Sequence, residues 1–300
     1  GVATEDTVVT AVKARELPRS AVVIGDLVRL TGDLSGTPDT LARIVAVEPR
    51  KNVLRRSLEE ASDARGEKVI VANTDLMVIV TAAADPEPRV GMVDRCLVAA
   101  READIPALLC VTKIDLASPA PFLAQFAGFP LQVVETSIED RGRGLNELRA
   151  ILADKFSVLL GHSGVGKSTL INELEPHADR AVGAVSELTG KGRHTSTSAV
   201  AVPLETGGWL VDTPGVRSFG LAHVDQDDVL EIYPGIQEAA EHCMPNCTHF
   251  SNEDSCYLDQ WVQEESNASA DGVTRRDLVR RARSLLEALP RMHWETPTPQ

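Results

Sequence analysis

The segment Gly161-His162-Ser163-Gly164-Val165-Gly166-Lys167-Ser168 constrains this chain more than any other. It follows the apolar run Ser157-Val158-Leu159-Leu160 and precedes the amphipathic stretch Thr169–Leu174. The spacing is G-x-x-x-x-G-K-[ST], which requires a strand, a tight loop and a helix in that order. Glycines let the backbone wrap closely enough for successive N–H groups to point at a phosphate chain, and the helix adds its positive end. Lys167 then reaches the β- and γ-phosphates, and the Ser168 hydroxyl faces a magnesium ion.

The surrounding pattern agrees with that demand. From residue 69 onward, apolar runs at Leu76–Thr81, Ala107–Val111, Leu131–Val134 and Ser157–Leu160 alternate with amphipathic segments such as Met92–Glu102 and Gly144–Leu152. Such alternation predicts a parallel sheet with helices on both faces. A hairpin is expected at Ala199–Leu204 and Trp209–Val211. Residues 7 to 57 hold short β-branched runs separated by turn residues, which predicts a small barrel of SH3 or OB type. Ser57 to Lys68 reads as a linker or mobile loop. Helices are expected over 225–241 and from Thr274 to Leu289. The expected organisation is a barrel over 1–68, a P-loop α/β domain over 69–220 and a helical domain over 221–300.

Two further segments choose the base. The run Ala107–Val111 ends in Thr112-Lys113-Ile114-Asp115, an [NT]KxD pattern. A carboxylate at Asp115 can accept from both N1–H and the 2-amino group of guanine, whereas adenine would leave it unpaired. The Lys113 stem would pack over the base. The run Leu131–Val134 ends in Glu135-Thr136-Ser137, which resembles an [ST]A[KL] loop with Ser137 in place of the usual alanine, where a backbone N–H at Ser137 would meet guanine O6. The segment Asp212-Thr213-Pro214-Gly215 fits D-x-x-G, with Asp212 near magnesium and the Gly215 N–H at the γ-phosphate. Between the phosphate loop and the hairpin, Thr195 and Thr197 are both candidates for a second magnesium hydroxyl.

These motifs occur in permuted order. An ordinary small GTPase begins with the phosphate loop and ends with the base motifs; here the base motifs come first. The D-x-x-G loop therefore closes the nucleotide domain, and the C-terminal domain is tethered directly to it.

That C-terminal domain contains Cys243-x3-Cys247-x-His249-x6-Cys256. Three thiolates and one imidazole make a closed structural zinc set. Cys96 and Cys110 lie in apolar stretches and read as buried thiols. The longest apolar run, Leu76–Ala83, is strand-length, so no membrane span is expected and the cytoplasm is the expected compartment. A net charge of −14 argues against a protein that coats nucleic acid, DNA included, non-specifically. Basic clusters remain at Arg43, Arg50, Lys51, Arg55 and Arg56, at Lys191, Arg193 and His194, and at Arg275, Arg276, Arg280, Arg281 and Arg283. Each is either a solvated face or a phosphate contact.

The chain resembles the ribosome small-subunit-dependent GTPases, the RsgA or YjeQ family. The resemblance rests on Pro49-Arg50-Lys51-Asn52, Leu54-Arg55-Arg56, Ala72-Asn73-Thr74-Asp75, Asp94-Arg95 with Leu97-Val98, Gly161–Ser168, Gly190–Thr197, Asp212–Gly215 and the Cys/His cluster. It implies an N-terminal OB-fold, a circularly permuted GTPase domain and a C-terminal zinc domain. It also implies binding to the small ribosomal subunit and its rRNA, with GTP hydrolysis stimulated by the subunit during late maturation. Nothing in the sequence suggests an obligate dimer, and a monomer is expected. The expected GTP set is Thr112, Lys113, Asp115, Ser137, Gly161 to Thr169, Asp212 and Gly215. Val216, after the D-x-x-G glycine, cannot orient water as a glutamine does. Position and resemblance put His194 in that role, beside Lys167, with contact to RNA or solvent as its other reading. Three alternatives stand beside this one: an RNA-binding checkpoint with negligible turnover, a permuted GTPase of the large subunit, and a metabolic P-loop kinase.

Overall fold

The computed structural model describes residues 1–4, 7–18, 22–37, 40–57, 67–176, 200–213, 224–251, 255–264 and 273–289. His194, Thr195, Thr197, Pro214 and Gly215 lie outside them, as does the Lys191–His194 basic cluster.

The N-terminal region holds β1 (Val2–Ala3), β2 (Val8–Val9), β3 (Ala11–Lys13), β4 (Val28–Gly32), β5 (Ala42–Val47), β6 (Val53–Ser57) and β7 (Glu67–Ala72). Alternation in β5 buries Ala42 and Ile44 and exposes Arg43 and Val45, as a half-covered strand requires. The pairing is β1 with β2, β3-β5-β4, and β6 with β7. Among the described residues these are separate small sheets; Ile24, outside the named strands, bridges to Val71 of β7. The stretch expected to be a linker supplies the ends of a hairpin: β6 runs to Ser57 and β7 starts at Glu67. The polar and charged residues at the joined ends, Arg55-Arg56-Ser57 and Glu67-Lys68, hid that pairing from a reading by hydrophobic pattern.

The centre is a six-stranded sheet of β8 (Leu76–Ala82), β9 (Ala107–Thr112), β10 (Gln132–Glu135), β11 (Phe156–Leu160), β12 (Val200–Pro203) and β13 (Trp209–Asp212). Its order is β10-β9-β8-β11-β13-β12; all neighbours are parallel except the β12–β13 hairpin. β8 is buried along its whole length, which explains its unbroken apolar run. The chain steps from β8 to β9 and β10 on one side, then returns to place β11 on the other. The crevice between β8 and β11 is therefore the topological switch point, where ligands of open α/β sheets bind.

One face of the sheet packs Leu145, Leu148 and Leu152 of helix Leu145–Leu152 and Leu170 and Leu174 of helix Lys167–Leu174. The other packs helix Val90–Glu102, and its core runs on into the C-terminal helices through Val229, Tyr233, Leu258, Leu278 and Leu285. The helix expected over 225–241 is two, Gln226–Glu231 and Ile236–Ala240, divided at Pro234-Gly235, where Gly235 takes φ +76. The last helix spans Arg275–Leu286, with Thr274 accepting from the Asp277 N–H as its N-cap.

Candidate functional site

The loop after β11 must pass over its neighbour. A Cβ on Gly161 would overlap the Val80 carbonyl, and Gly166 adopts φ +96 as it caps helix Lys167–Leu174. These two constraints are what the fixed glycines satisfy. Lys167 folds over the loop, its Nζ donating to the carbonyls of Gly161 (2.6 Å) and His162 (3.0 Å). Burial lowers its pKa, and the Asp212 carboxylate pulls it back up. Burial in turn raises the Asp212 carboxyl above the usual range, against the pull of Lys167. Oδ1 of Asp212 is buried without a hydrogen-bond partner. Thr213 beside it donates to the Leu159 carbonyl at 2.9 Å, fixing the end of β13 against β11. Ser168 and Thr169 are exposed at the first turn of the helix.

The base motifs stand at the same pole. Thr112 is buried, and its hydroxyl donates to the Val165 carbonyl at 2.6 Å. It ties the end of β9 to the phosphate loop. Lys113 adopts φ +56, and its Nζ donates to the main-chain carbonyl of Asp85 in the loop after β8. Asp115 receives the Ser137 hydroxyl at 2.5 Å, and the same hydroxyl accepts from the Asp140 N–H at 3.0 Å. The backbone N–H of Ser137, expected to face O6, donates instead to the Arg143 carbonyl at 3.1 Å. Ser137 thus holds the Asp115 carboxylate through its side chain. Reading the [ST] of [ST]A[KL] at Ser137 rather than one residue earlier would have pointed to this contact.

A second cluster lies in the C-terminal region. Cys243, Cys247, His249 and Cys256 bring their ligand atoms within 4.8 Å of one another. His249 Nδ1 stands 3.5 Å from Cys243 Sγ and 3.6 Å from Cys256 Sγ, and the two sulfurs are 4.0 Å apart. A tetrahedral zinc with ordinary bond lengths needs edges of about 3.5–3.8 Å. Burial pushes the Cys247 thiol up to about 12, the neighbouring sulfurs adding to the effect. A bound cation reverses that penalty, because it favours the thiolate. Arg283 braces the cluster from the last helix, donating to the His249 carbonyl at 3.0 Å and to both Asp259 oxygens at 2.8 and 2.9 Å.

The arginines of the last helix divide. Arg281 is buried and pairs with both oxygens of Asp94, at 3.0 and 2.5 Å. Arg275 lies 4.6 Å from the Trp261 ring centre and donates to the Trp261 carbonyl. Arg276 and Arg280 are exposed, Arg280 beside Asp277 at 2.9 Å. The N-terminal cluster divides likewise: Arg50 pairs with the buried Asp26 and Lys51 with Asp75, while Arg43 is exposed. Sequence alone cannot tell these apart, since the carboxylates concerned are distant in the chain.

Among the described residues no helix is long and apolar enough to cross a membrane. Comparison with known proteins matches residues 47–222 to the RsgA GTPase family. A small ribosomal subunit biogenesis GTPase RsgA from Alcanivorax borkumensis is 42% identical over 73% of this chain and 62% of its own length. One from Pseudomonas fluorescens is 37% identical over 90% of this chain and 76% of its own length. The crystal structure of YjeQ from Thermotoga maritima is 25% identical, with a TM-score of 0.61 over 88% of this chain and 84% of that one. YloQ, a circularly permuted GTPase, has a TM-score of 0.62 at 23% identity over 94% of this chain and 87% of that one. The permuted motifs meet at one pole of the sheet, the four zinc-type ligands meet in the helical region, and on these matches the chain belongs to the RsgA GTPase family.

Proposed function

We propose that this chain binds GTP at the β8–β11 crevice, hydrolyses it to GDP and phosphate, and uses that cycle in late maturation of the small ribosomal subunit. The observation that carries the reading is the convergence of the phosphate loop with Thr112 and with an Asp115 held by Ser137. Guanine is recognised by Asp115, and Lys113 covers the base. The Ser137 N–H is committed to Arg143, so the O6 donor is the next N–H, that of Ile138. Ser137→Ala should weaken GDP binding about tenfold, the effect of losing roughly 1.4 kcal/mol from a charged hydrogen bond; unchanged affinity contradicts this role.

Magnesium fits beside Ser168 and the orphaned Asp212 oxygen, with Thr195 or Thr197 completing the set. There it supplies charge neutralisation for the β- and γ-phosphates. His194 orients the attacking water, and Lys167 contacts the phosphates. Zinc fits the Cys243–Cys247–His249–Cys256 set in a structural role.

Residues 1–68 act as an OB-type RNA-binding unit, 69–220 as the nucleotide domain and 221–300 as a zinc lobe. With the protein taken as monomeric and cytoplasmic, exposed Arg43 and Arg276, and Arg280 beside Asp277, offer basic side chains to rRNA phosphates, whereas Arg50, Arg281 and Arg283 are spent on internal carboxylates.

The test is GTP turnover by the purified protein, alone and with small or large ribosomal subunits. The reading predicts stimulation by small subunits only, lost in His194→Ala with GTP affinity kept. GTP binding without stimulation would retain the nucleotide site and remove the ribosomal role.

A further inference from the structure

Arg281 occupies an unusual position for a residue of the last helix. Its guanidinium pairs with Asp94 on helix Val90–Glu102 and donates to the Gln125 carbonyl at 2.5 Å. It also stands 4.9 Å from the ring centre of Phe126, 5.1 Å from Phe129 and 5.5 Å from Tyr233. Phe122, Phe126, Phe129 and Tyr233 form one edge-to-face series around it. A cation so enclosed holds its neighbours in one arrangement, because any displacement leaves a charge buried and unpaired.

The elements it grips lead to the base end of the nucleotide site. Helix Val90–Glu102 follows the 83–89 loop directly. That loop supplies the Asp85 carbonyl to Lys113, and Pro86 faces Gly164 of the phosphate loop. The segment holding Gln125 and Phe126 follows Thr112–Asp115 on the way from β9 to β10. Both connections leave the carboxyl ends of neighbouring strands, and both pass through Arg281 before the chain returns to the sheet.

We infer that Arg281 is a positioning residue for guanine recognition: it sets the placement of the Lys113 and Asp115 loops from the C-terminal lobe. Arg281 thus links the lobe to the base end, in addition to the chain connection that follows Asp212 in sequence. The inference rests on the proposed guanine site and adds a second, non-covalent route to it.

The experiment measures GDP and IDP affinities by calorimetry for the full chain and for Arg281→Met, Asp94→Asn and Asn52→Ala. IDP lacks the 2-amino group that Asp115 would read, so the GDP-to-IDP affinity ratio reports the placement of that carboxylate. Zinc content and Tm are recorded alongside. The ratio is expected to fall at least threefold in Arg281→Met and by a smaller factor in Asp94→Asn. Asn52→Ala should lower Tm with the ratio intact. If Arg281→Met does not fold, Asp94→Asn carries the test alone. A parent-like ratio in the folded variants, with only Tm reduced, overturns the inference. Absence of any GDP preference in the parent overturns the guanine site and the inference with it.

Discussion

The sheet is held at two joints made of contrasting chemistry. At the amino ends of β8 and β11, the N-terminal region is attached mainly by neutral amides, with one exposed ion pair, Lys51–Asp75 at 3.3 Å. Asn52 donates to the Thr74 carbonyl and accepts from the Thr74 N–H, at 2.9 and 2.8 Å. Asn73 bridges the Gly25 carbonyl and the Lys51 N–H, both at 2.8 Å. Asp75 accepts from the Phe156 N–H at 3.0 Å. The C-terminal lobe instead shares a continuous apolar core with one sheet face, fastened by the buried Asp94–Arg281 pair and the exposed Arg101–Glu231 pair. Neutral hydrogen bonds set a direction at a net gain of about 0.5–1.5 kcal/mol each. A buried ion pair is all-or-none, since losing one partner costs about 3–5 kcal/mol. The first joint suits a fixed mount placed away from the nucleotide loops. The second suits a lobe with discrete positions, and it lies on the face whose helix begins beside the phosphate loop.

Substitutions can break this contrast in order of severity. Cys256→Ser should be the most damaging, because metal affinity in such ligand sets is about 10–16 kcal/mol near neutral pH. The variant should lack zinc by elemental analysis and lose protease resistance over 224–289, while β8 to β11 persist. Asp94→Ala should come next, lowering stability to denaturant by about 3–5 kcal/mol through the stranded Arg281 charge. Asn52→Ala should cost the least, about 1–3 kcal/mol for the buried Thr74 groups left unpaired, with GDP affinity unchanged. A larger loss for Asn52→Ala than for Asp94→Ala would reverse this ranking of the two joints.

The features legible in the sequence are those where backbone geometry or ligand count dictates residue type. Gly161, Gly166 and Lys167 stand at a fixed spacing because a loop wrapped on phosphate admits few alternatives. The four zinc-type ligands fall within fourteen positions for a similar reason. Strand identity in the central sheet followed from buried runs such as β8. What escaped depends on partners far along the chain. Arg281 reads as one more surface arginine until Asp94, 187 positions earlier, is folded against it. The motif residues Asn52, Asn73 and Thr74 have no visible chemistry until they are seen to build the N-terminal joint. Ser137 looked like a poor alanine because its hydroxyl partner, Asp115, lies 22 residues away.

Amide hydrogen exchange with GDP and with a non-hydrolysable GTP analogue tests the central claim most directly. The account predicts that exchanging one nucleotide for the other alters protection in helices Gln226–Glu231 and Arg275–Leu286, while the amides of Thr74, Asp75 and Phe156 stay unchanged. Altered protection at those three amides, with both helices unaffected, would contradict it.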